Sequence, residues 1–209
     1  MNYNNIFNNS TFDDHNLTKS SLFHQNIRGI YNKIDERLLS LPPNLPQIIC
    51  ITEHHLKTEQ LGNIILDQYT LGTAFCRQEY RKGGACIYVL KDIEYNTINL
   101  EQYNKEKDLE ICDLKIQISS NTFIIICIYR SPTGNFTYFL QLLEFNLSKL
   151  YKTNTELIVC GDLNVNYLNY LNCDDWTFIS ISYPYTHVSS LAIMFFKKLS
   201  SPLARSRSS

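Results

Sequence analysis

LIVCGDLNVNY, residues 157 to 167, starts as an apolar, β-branched run and then changes abruptly to Gly-Asp-Leu-Asn. A short apolar run of this kind is typical of a buried strand. Asp162 and Asn164 therefore lie where a strand leaves its sheet, which is where α/β sheets bind their ligands. Because the Asp-x-Asn spacing puts both side chains on the same side of an extended segment, the stretch predicts a polar site at a strand end.

Three other apolar strands also end in polar residues. Asn26 lies at the end of SLFHQNI, Glu53 follows QIICIT, and Tyr129 closes TFIIICIY, with Arg130 directly after it. Side chains from several strand ends converge when the strands leave a sheet at the same edge. Carboxylate and amide oxygens are the ligands that Mg²⁺ prefers. The sequence therefore predicts a rim that binds a hard divalent cation.

Strand patterns outnumber the helical patterns that separate them. Strands are predicted over residues 21–27, 47–52, 69–75, 84–90, 93–100, 109–118, 122–129 and 156–162. Helical patterns cover residues 31–41 and 136–151, and residues 55–65 form a short helix or a loop. A doubly wound fold would place a helix between most strands, whereas here several strands follow one another directly. The predicted fold is α/β, with two packed sheets flanked by helices in four α/β/β/α layers.

Composition excludes several classes of protein. A net charge of −1 excludes a broadly basic protein that holds nucleic acid by bulk charge. Seven cysteines, without a C-x-x-C pair, indicate reduced core residues of an intracellular protein. The longest apolar run, Phe123 to Tyr129, is too short to cross a bilayer, and the polar N-terminus does not resemble a signal peptide. We therefore expect no membrane partner.

Composition also divides the chain into three regions. Residues 1–20 are Asn-rich and predict a disordered leader, whereas residues 21–171 carry the strand and helix patterns of one domain. Residues 172–209 lose this pattern and end in SSPLARSRSS, which predicts a divergent segment with a disordered Ser/Arg tail.

Four motifs in the central region carry a resemblance to a known family. HQNIRGI, ITEHHL, IYRSP and CGDLNVNY, in this order, resemble the endonuclease/exonuclease/phosphatase superfamily. More narrowly, they are similar to the apurinic-type endonuclease domain of non-LTR retrotransposons. The resemblance extends from His24 to about Tyr170. It implies Mg²⁺-dependent hydrolysis of phosphodiester bonds in DNA, with Mn²⁺ as an alternative metal, and a nuclear location if the substrate is chromosomal DNA.

The resemblance also implies a role for each residue at the predicted rim. Glu53 would be the principal Mg²⁺ ligand, with Asn26 beside it. Tyr129 would orient the scissile phosphate, and Arg130 would add charge to the same phosphate. Asp162 would align or deprotonate the attacking water, and Asn164 would stabilise charge on the phosphoryl oxygens.

Each of these residues also has a simpler structural interpretation. Asn26 would end its strand through a local hydrogen bond, and Glu53 would cap the segment that follows it. Tyr129 would be a core residue with a satisfied hydroxyl, and Asp162 with Asn164 would form a turn. Zinc at His54 and His55 is disfavoured, because adjacent side chains point apart.

One part of the family pattern is missing. Superfamily members end in a Ser-Asp-His type segment, but the only histidine after Tyr170 is His187, which follows Thr186 rather than an acid. Superfamily members also usually carry an Asp-bearing strand before that segment, and no such pattern follows Tyr170. Without these strands the sandwich would be incomplete at its C-terminus, with an exposed sheet edge. The alternative that follows is a catalytically inactive retroelement remnant that at most binds metal or nucleic acid. A phosphomonoesterase of the same superfamily, which shares GDLN, is a less favoured alternative. The sequence leaves the oligomeric state open.

Overall fold

The computed structural model describes residues 10–12, 20–30, 45–98, 100–118, 121–150, 155–164 and 191–196. These residues contain ten strands, two α-helices and a 3-10 helix at Glu101–Tyr103. The helices are α1 (Thr58–Gly62) and α2 (Phe136–Leu150). Within the described ranges, neither helix has the length and apolar character needed to cross a membrane. The strands are β1 (Ser10–Phe12), β2 (Ser20–Asn26), β3 (Ile48–Thr52), β4 (Tyr69–Phe75), β5 (Ala85–Leu90), β6 (Tyr95–Thr97), β7 (Glu110–Ile118), β8 (Asn121–Tyr129), β9 (Thr155–Asp162) and β10 (Leu191–Phe196).

The strands form two mixed sheets. Sheet I has the order β1-β2-β3-β5-β4, and sheet II has the order β10-β9-β8-β7-β6. The pairs β2–β3 and β8–β9 are parallel, whereas the other pairs are antiparallel. Each sheet therefore contains one parallel pair at its centre, and the two chain ends described here, β1 and β10, form one edge of each sheet.

The two sheets pack face to face over an apolar layer. Side chains alternate along each strand, so Ile48 and Cys50 of β3 face sheet II, whereas Ile49 and Ile51 face outwards. Sheet II contributes the inward side chains of β7, β8 and β9, which include Ile125. This layer is the main core, and the predicted sandwich of two sheets is confirmed.

Each outer face of the sandwich is also covered. The amphipathic helix α2 places Phe139, Leu143 and Leu147 on the outer face of sheet II, because these residues follow the helical period. On sheet I, the loop after β2 and the segment around α1 cover the outward side chains of β3 and β5. Within the described residues, the layers are therefore helix, sheet, sheet and a cover of loops with a short helix.

The structure differs from the predicted elements in three places. The strand predicted over residues 93–100 is only Tyr95–Thr97, since the N–H of Ile98 donates to the Asp113 carboxylate instead of to a neighbouring strand. The helix predicted over residues 31–41 lies outside the described residues. β1 falls within the predicted leader, and β10 falls within the predicted divergent segment, so these regions contain sheet strands; the domain boundaries stay a prediction.

β10 also changes the expectation of an exposed edge. Its sequence, LAIMFF, is an apolar run with strong strand character, and it pairs antiparallel with β9 from Leu191 opposite Asp162 to Phe196 opposite Leu157. The edge of β9 that the sequence left unpaired is therefore covered along six residues.

Candidate active site at the strand ends

Two carboxylates from different sheets meet at one amide. The Nδ2 of Asn26 donates to Oε1 of Glu53 at 2.9 Å and to Oδ2 of Asp162 at 2.5 Å. Asn26 ends β2, Glu53 directly follows β3 in sheet I, and Asp162 ends β9 in sheet II. The structure thus brings together three residues that the sequence placed at three separate strand ends.

The backbone around Glu53 is strained and firmly held. Glu53 has a φ of 55° and His55 has a φ of 62°, although neither is glycine. Such conformations cost roughly 1–3 kcal/mol each and cluster at functional sites. The N–H of Glu53 donates to the carbonyl of Gly84 at 2.8 Å, and its own carbonyl accepts from Gly29 at 2.7 Å. These bonds fix the direction in which the Glu53 side chain leaves the sheet.

Tyr129 lies opposite Asp162 in the parallel pair β8–β9 and is 4% exposed. Burial raises the pKa of its hydroxyl, and the nearby carboxylate of Glu53 raises that pKa further. The hydroxyl therefore stays protonated at neutral pH and can donate a hydrogen bond at the rim.

A buried ion pair supports Tyr129 from the side. The Nε of Arg77 donates to Oε1 of Glu110 at 2.6 Å, and the guanidinium carbon lies 5.7 Å from the centre of the Tyr129 ring. Glu110 is directly opposite Tyr129 on β7 and also accepts from the backbone N–H groups of Gly84 and Lys107. Sequence reasoning missed this pair, because the only signal was a single acidic residue at the start of an apolar strand.

Arg130 and Asn164 are joined in a second buried network. Arg130 is 5% exposed, and its guanidinium donates to the carbonyls of Leu163, Gly134 and Asn164. The Asn164 side chain donates to the carbonyl of Arg130 at 2.7 Å, and its backbone N–H donates to Oδ1 of Asp162 at 3.1 Å. These contacts hold the segment after β9 and orient Asp162. A contact between Arg130 and a phosphate stays a prediction.

Solved structures with a similar fold include two endonucleases and a protein complexed with a DNA product. The endonuclease domain of TRAS1, a telomere-specific non-LTR retrotransposon, matches 69% of this chain at 15% identity with a TM-score of 0.52. The apurinic/apyrimidinic endonuclease LMAP of Leishmania major matches 76% at 15% identity and a TM-score of 0.54. Danio rerio TDP2, solved with a single-strand DNA product, matches 88% at 12% identity and a TM-score of 0.52.

The chain has the endonuclease/exonuclease/phosphatase fold.

The chain spans 59% of the TRAS1 domain and 58% of LMAP, but 86% of TDP2. No protein-family model and no curated protein matches the sequence. In this endonuclease/exonuclease/phosphatase fold, the ends of the parallel pairs β2–β3 and β8–β9 place Asn26, Glu53 and Asp162 in contact with one another. His187, the one downstream histidine considered for catalysis, lies outside the described residues.

The two histidines after Glu53 have different environments. Nδ1 of His54 accepts from the N–H of Leu56, and its Nε2 lies 3.0 Å from the carbonyl of Phe75, so both ring nitrogens are engaged within the protein. Burial lowers the pKa of His54 to about 4. His55 instead places Nε2 3.3 Å from Oε2 of Glu53. Burial lowers its pKa, whereas the Glu53 carboxylate acts in the opposite direction. His54 is therefore a structural residue of the loop, and His55 belongs to the rim.

The donor set of the rim fits a hard divalent cation. Glu53 and Asp162 are two carboxylates within reach of a single amide group, an arrangement that concentrates negative charge. Mg²⁺ sites typically use one or two carboxylates and complete their shell with water and phosphate oxygens. The Glu53 side chain is 17% exposed, which leaves it accessible from solvent. These residues fit the cation that the family resemblance implies.

Proposed function

We propose that this chain is a divalent-metal-dependent phosphodiesterase that hydrolyses DNA, of the retrotransposon endonuclease type. The observation that carries the proposal is the cluster of Asn26, Glu53 and Asp162 at the ends of three strands from both sheets. DNA-processing proteins share the fold, which supports DNA as the substrate. The acting domain is residues 21–171, and it would work in the nucleus if its substrate is chromosomal.

Glu53, with Asn26 beside it, would hold Mg²⁺ or Mn²⁺. When bound, such an ion lowers the pKa of a coordinated water and polarises phosphoryl oxygens. Asn26 supports the ligand set from the protein side, because its amide already bridges both carboxylates.

Asp162 would take the proton of the attacking water as the new oxygen–phosphorus bond forms and the bond to the leaving oxygen breaks. Two hydrogen bonds, from Asn26 and from the backbone of Asn164, keep the Asp162 carboxylate in a single orientation. A positioned base of this kind typically contributes about 10²- to 10⁴-fold in rate.

Tyr129 and Asn164 would bind the phosphate. The raised pKa of Tyr129 keeps its hydroxyl in the donor form. A side-chain amide carries two N–H donors, so Asn164 retains a second donor while the first binds the carbonyl of Arg130. Arg130 would contribute mainly by holding this segment, in addition to any charge it offers the phosphate.

A second candidate is an inactive relative that binds metal or nucleic acid without turnover. It is favoured by the burial of Asp162, which is 1% exposed with both carboxylate oxygens accepting hydrogen bonds. A phosphomonoesterase of the same superfamily is a less favoured alternative, because the motif context resembles retroelement nucleases.

Plasmid nicking in Mg²⁺ tests the proposal. The parent is compared with Glu53→Gln and Asp162→Asn, which keep the side-chain size but remove the charge. Glu156→Gln is the matched control, since Glu156 is an exposed carboxylate on β9 away from the rim. We expect nicking by the parent and the control, and a loss of at least 100-fold in both site variants. A folded parent that binds Mg²⁺ without nicking DNA would instead support the inactive relative.

A further inference from the structure

Three thiols converge in the core beneath the candidate active site. Cys50 of β3, Cys127 of β8 and Cys160 of β9 have their sulfur atoms within 4.8 Å of one another. All three are 0% exposed. Among the described residues, this is the only group of three or more histidine, cysteine or acidic residues that meets this distance.

Strand register produces this convergence. Cys127 and Cys160 are directly opposite each other in the parallel pair β8–β9, and both face sheet I. Cys50 faces them from β3 of sheet I. Cys127 precedes Tyr129 by two residues, and Cys160 precedes Asp162 by two residues. Because side chains repeat every two residues on a strand, the thiols form the layer directly below the rim.

The ordinary role of a buried cysteine does not account for this arrangement. A free cysteine packs as a small apolar residue, and Cys86 on the outer face of sheet I has that role without joining the group. The thiols of Cys127 and Cys160 make long contacts to backbone carbonyls, at 3.8 Å from Cys127 to Ile51 and 3.6 Å from Cys160 to Ile126. Cys127 also makes side-chain hydrogen bonds with Cys50, Cys160 and Cys112. Because thiols are weak donors and weak acceptors, a soft metal ion can replace these contacts.

A neighbouring histidine adds a second polar group. His24 on β2 is paired with Cys50 in the parallel register, and its Nδ1 is buried without a hydrogen-bond partner among the described residues. Its Nε2 lies 3.2 Å from the hydroxyl of Thr52. The imidazole thus offers an unused nitrogen next to the first of the three thiols.

The distances suit a thiophilic metal ion. A zinc–sulfur bond is about 2.3 Å, so three thiolates around one zinc ion lie about 3.8 to 4.0 Å apart. The observed spacing of up to 4.8 Å requires the sulfur atoms to move by less than about 1 Å. We propose that Cys50, Cys127 and Cys160 form a structural three-thiolate site for a thiophilic metal ion, Zn²⁺ or Cu⁺.

Binding replaces the three thiol protons with sulfur–metal bonds, and the protons pass to solvent. Zn²⁺ leaves less negative charge in the core than Cu⁺, so it is the expected ion. His24 lies outside the group of ligand atoms within 4.8 Å of one another, so its imidazole would have to move towards the thiols to act as a fourth ligand and give the Cys₃His set known for structural zinc. Since the thiols are fully buried, the metal must enter before folding is complete.

The experiment loads the full chain during refolding. Protein unfolded in urea with a phosphine reductant is refolded with Zn²⁺ alone, with Cu⁺ alone or without metal. Each sample then passes through gel filtration in excess Mg²⁺, which removes ions held only at the rim. Metal per chain is measured by mass spectrometry, and thermal unfolding is followed by circular dichroism.

We expect the parent to retain about one Zn²⁺ per chain and its unfolding midpoint to rise by about 5 to 10 °C with metal. Cys127→Ala should lose at least 10-fold of the retained metal, whereas Cys86→Ala, an equally buried cysteine outside the group, should retain it. Glu53→Gln should also retain the metal, which separates this site from the rim. Retention in the Cu⁺ arm alone would assign Cu⁺ to the same three thiols.

A folded parent with less than about 0.1 metal ion per chain in both arms would overturn the proposal. Equal retention in Cys127→Ala and the parent would also overturn it. If Cys127→Ala does not fold, Cys50→Ala and Cys160→Ala provide the same comparison, and the measurement on the parent requires no variant.

Discussion

His54 makes the stability of the fold depend on pH. The imidazole is 0% exposed, and burial lowers its pKa to about 4 from the ordinary value of 6.5. The unfolded chain therefore takes up a proton at His54 below about pH 6.5, whereas the folded chain does not do so until about pH 4. Because the unfolded state binds more protons in this window, the free energy of unfolding falls as the pH falls.

The size of the effect follows from the shift. One pKa unit corresponds to about 1.4 kcal/mol, so His54 alone should remove about 3 kcal/mol of stability between neutral pH and pH 4. This is a large share of the roughly 5–15 kcal/mol of a typical domain. Protonation would destabilise the contact between the loop after β3 and the end of β4, since His54 joins Leu56 and Phe75 there.

His54→Gln isolates this contribution. Glutamine does not titrate, and its amide offers one donor and one acceptor in place of the two ring nitrogens. At pH 7.5 the variant should be less stable by about 1–3 kcal/mol, because buried hydrogen bonds are less well made. As the pH falls to 4.5, this difference should shrink by about 2–3 kcal/mol and approach zero or change sign.

Urea unfolding at pH 4.5, 5.5, 6.5 and 7.5, with linear extrapolation to water, measures the difference directly. His55→Gln is the comparison variant. His55 is only partly buried, and the Glu53 carboxylate opposes the lowering of its pKa, so His55→Gln should change the pH dependence less than His54→Gln does. Parallel stability curves for the parent and His54→Gln across this range would refute the reasoning.

Four further predictions address other parts of the fold. Burial raises the pKa of Asp113 to about 6, so the free energy of unfolding should fall as the pH rises from about 4 to 6 and the buried carboxyl loses its proton. In urea unfolding, Asp113→Asn should remove this pH dependence and be more stable than the parent by up to about 3 kcal/mol at pH 7. An unchanged pH dependence in the variant would contradict the prediction. Gly161 has a φ of 149°, and a Cβ there would clash with the backbone carbonyl of Ile128. Gly161→Ala should therefore cost about 3 kcal/mol, whereas a Cβ at Gly62 meets nothing within 4 Å, so Gly62→Ala should be neutral or slightly stabilising. Arg77→Met leaves the Glu110 carboxylate buried without its cation and should lower the free energy of unfolding by about 3–5 kcal/mol. The double variant Arg77→Met with Glu110→Gln should recover most of this loss. An equal loss in the single and the double variant would argue against the ion pair. Asn164→Ala should leave Mg²⁺ affinity, measured by calorimetry, within about twofold but reduce nicking at least 100-fold; equal nicking by variant and parent would count against a phosphate role.

Periodicity in the sequence located most strands. YTLGTAF matches β4 from Tyr69 to Phe75 without a shift, and the apolar runs of β3, β8 and β9 end within a residue or two of their predicted limits. These runs are predictable because burial between two sheets selects apolar and β-branched residues over a whole strand. The cysteines followed the same rule: the six described are free, and five of them are buried.

Side-chain partners could not be obtained in this way. Arg77 and Glu110 are 33 residues apart, and no pattern along the chain relates a loop residue to the start of a distant strand. The orientation of the Arg130 side chain could not be predicted either, since its guanidinium binds backbone carbonyls of the loops after β8 and β9. The motif order placed Asn26, Glu53 and Asp162 at one rim, but only the fold gives the single amide that joins them.

The contact between Asn26 and Asp162 spans 136 residues. Ribosomes add roughly 5–20 residues per second, so Asp162 leaves the peptidyl-transferase centre about 7 to 27 s after Asn26. During that interval the nascent chain carries Glu53 without its partner carboxylate, and sheet II has no β9 to complete its parallel pair. Any activity of the rim therefore arises only after Asp162 has been synthesised, and a chain interrupted before Thr155 would be released without it.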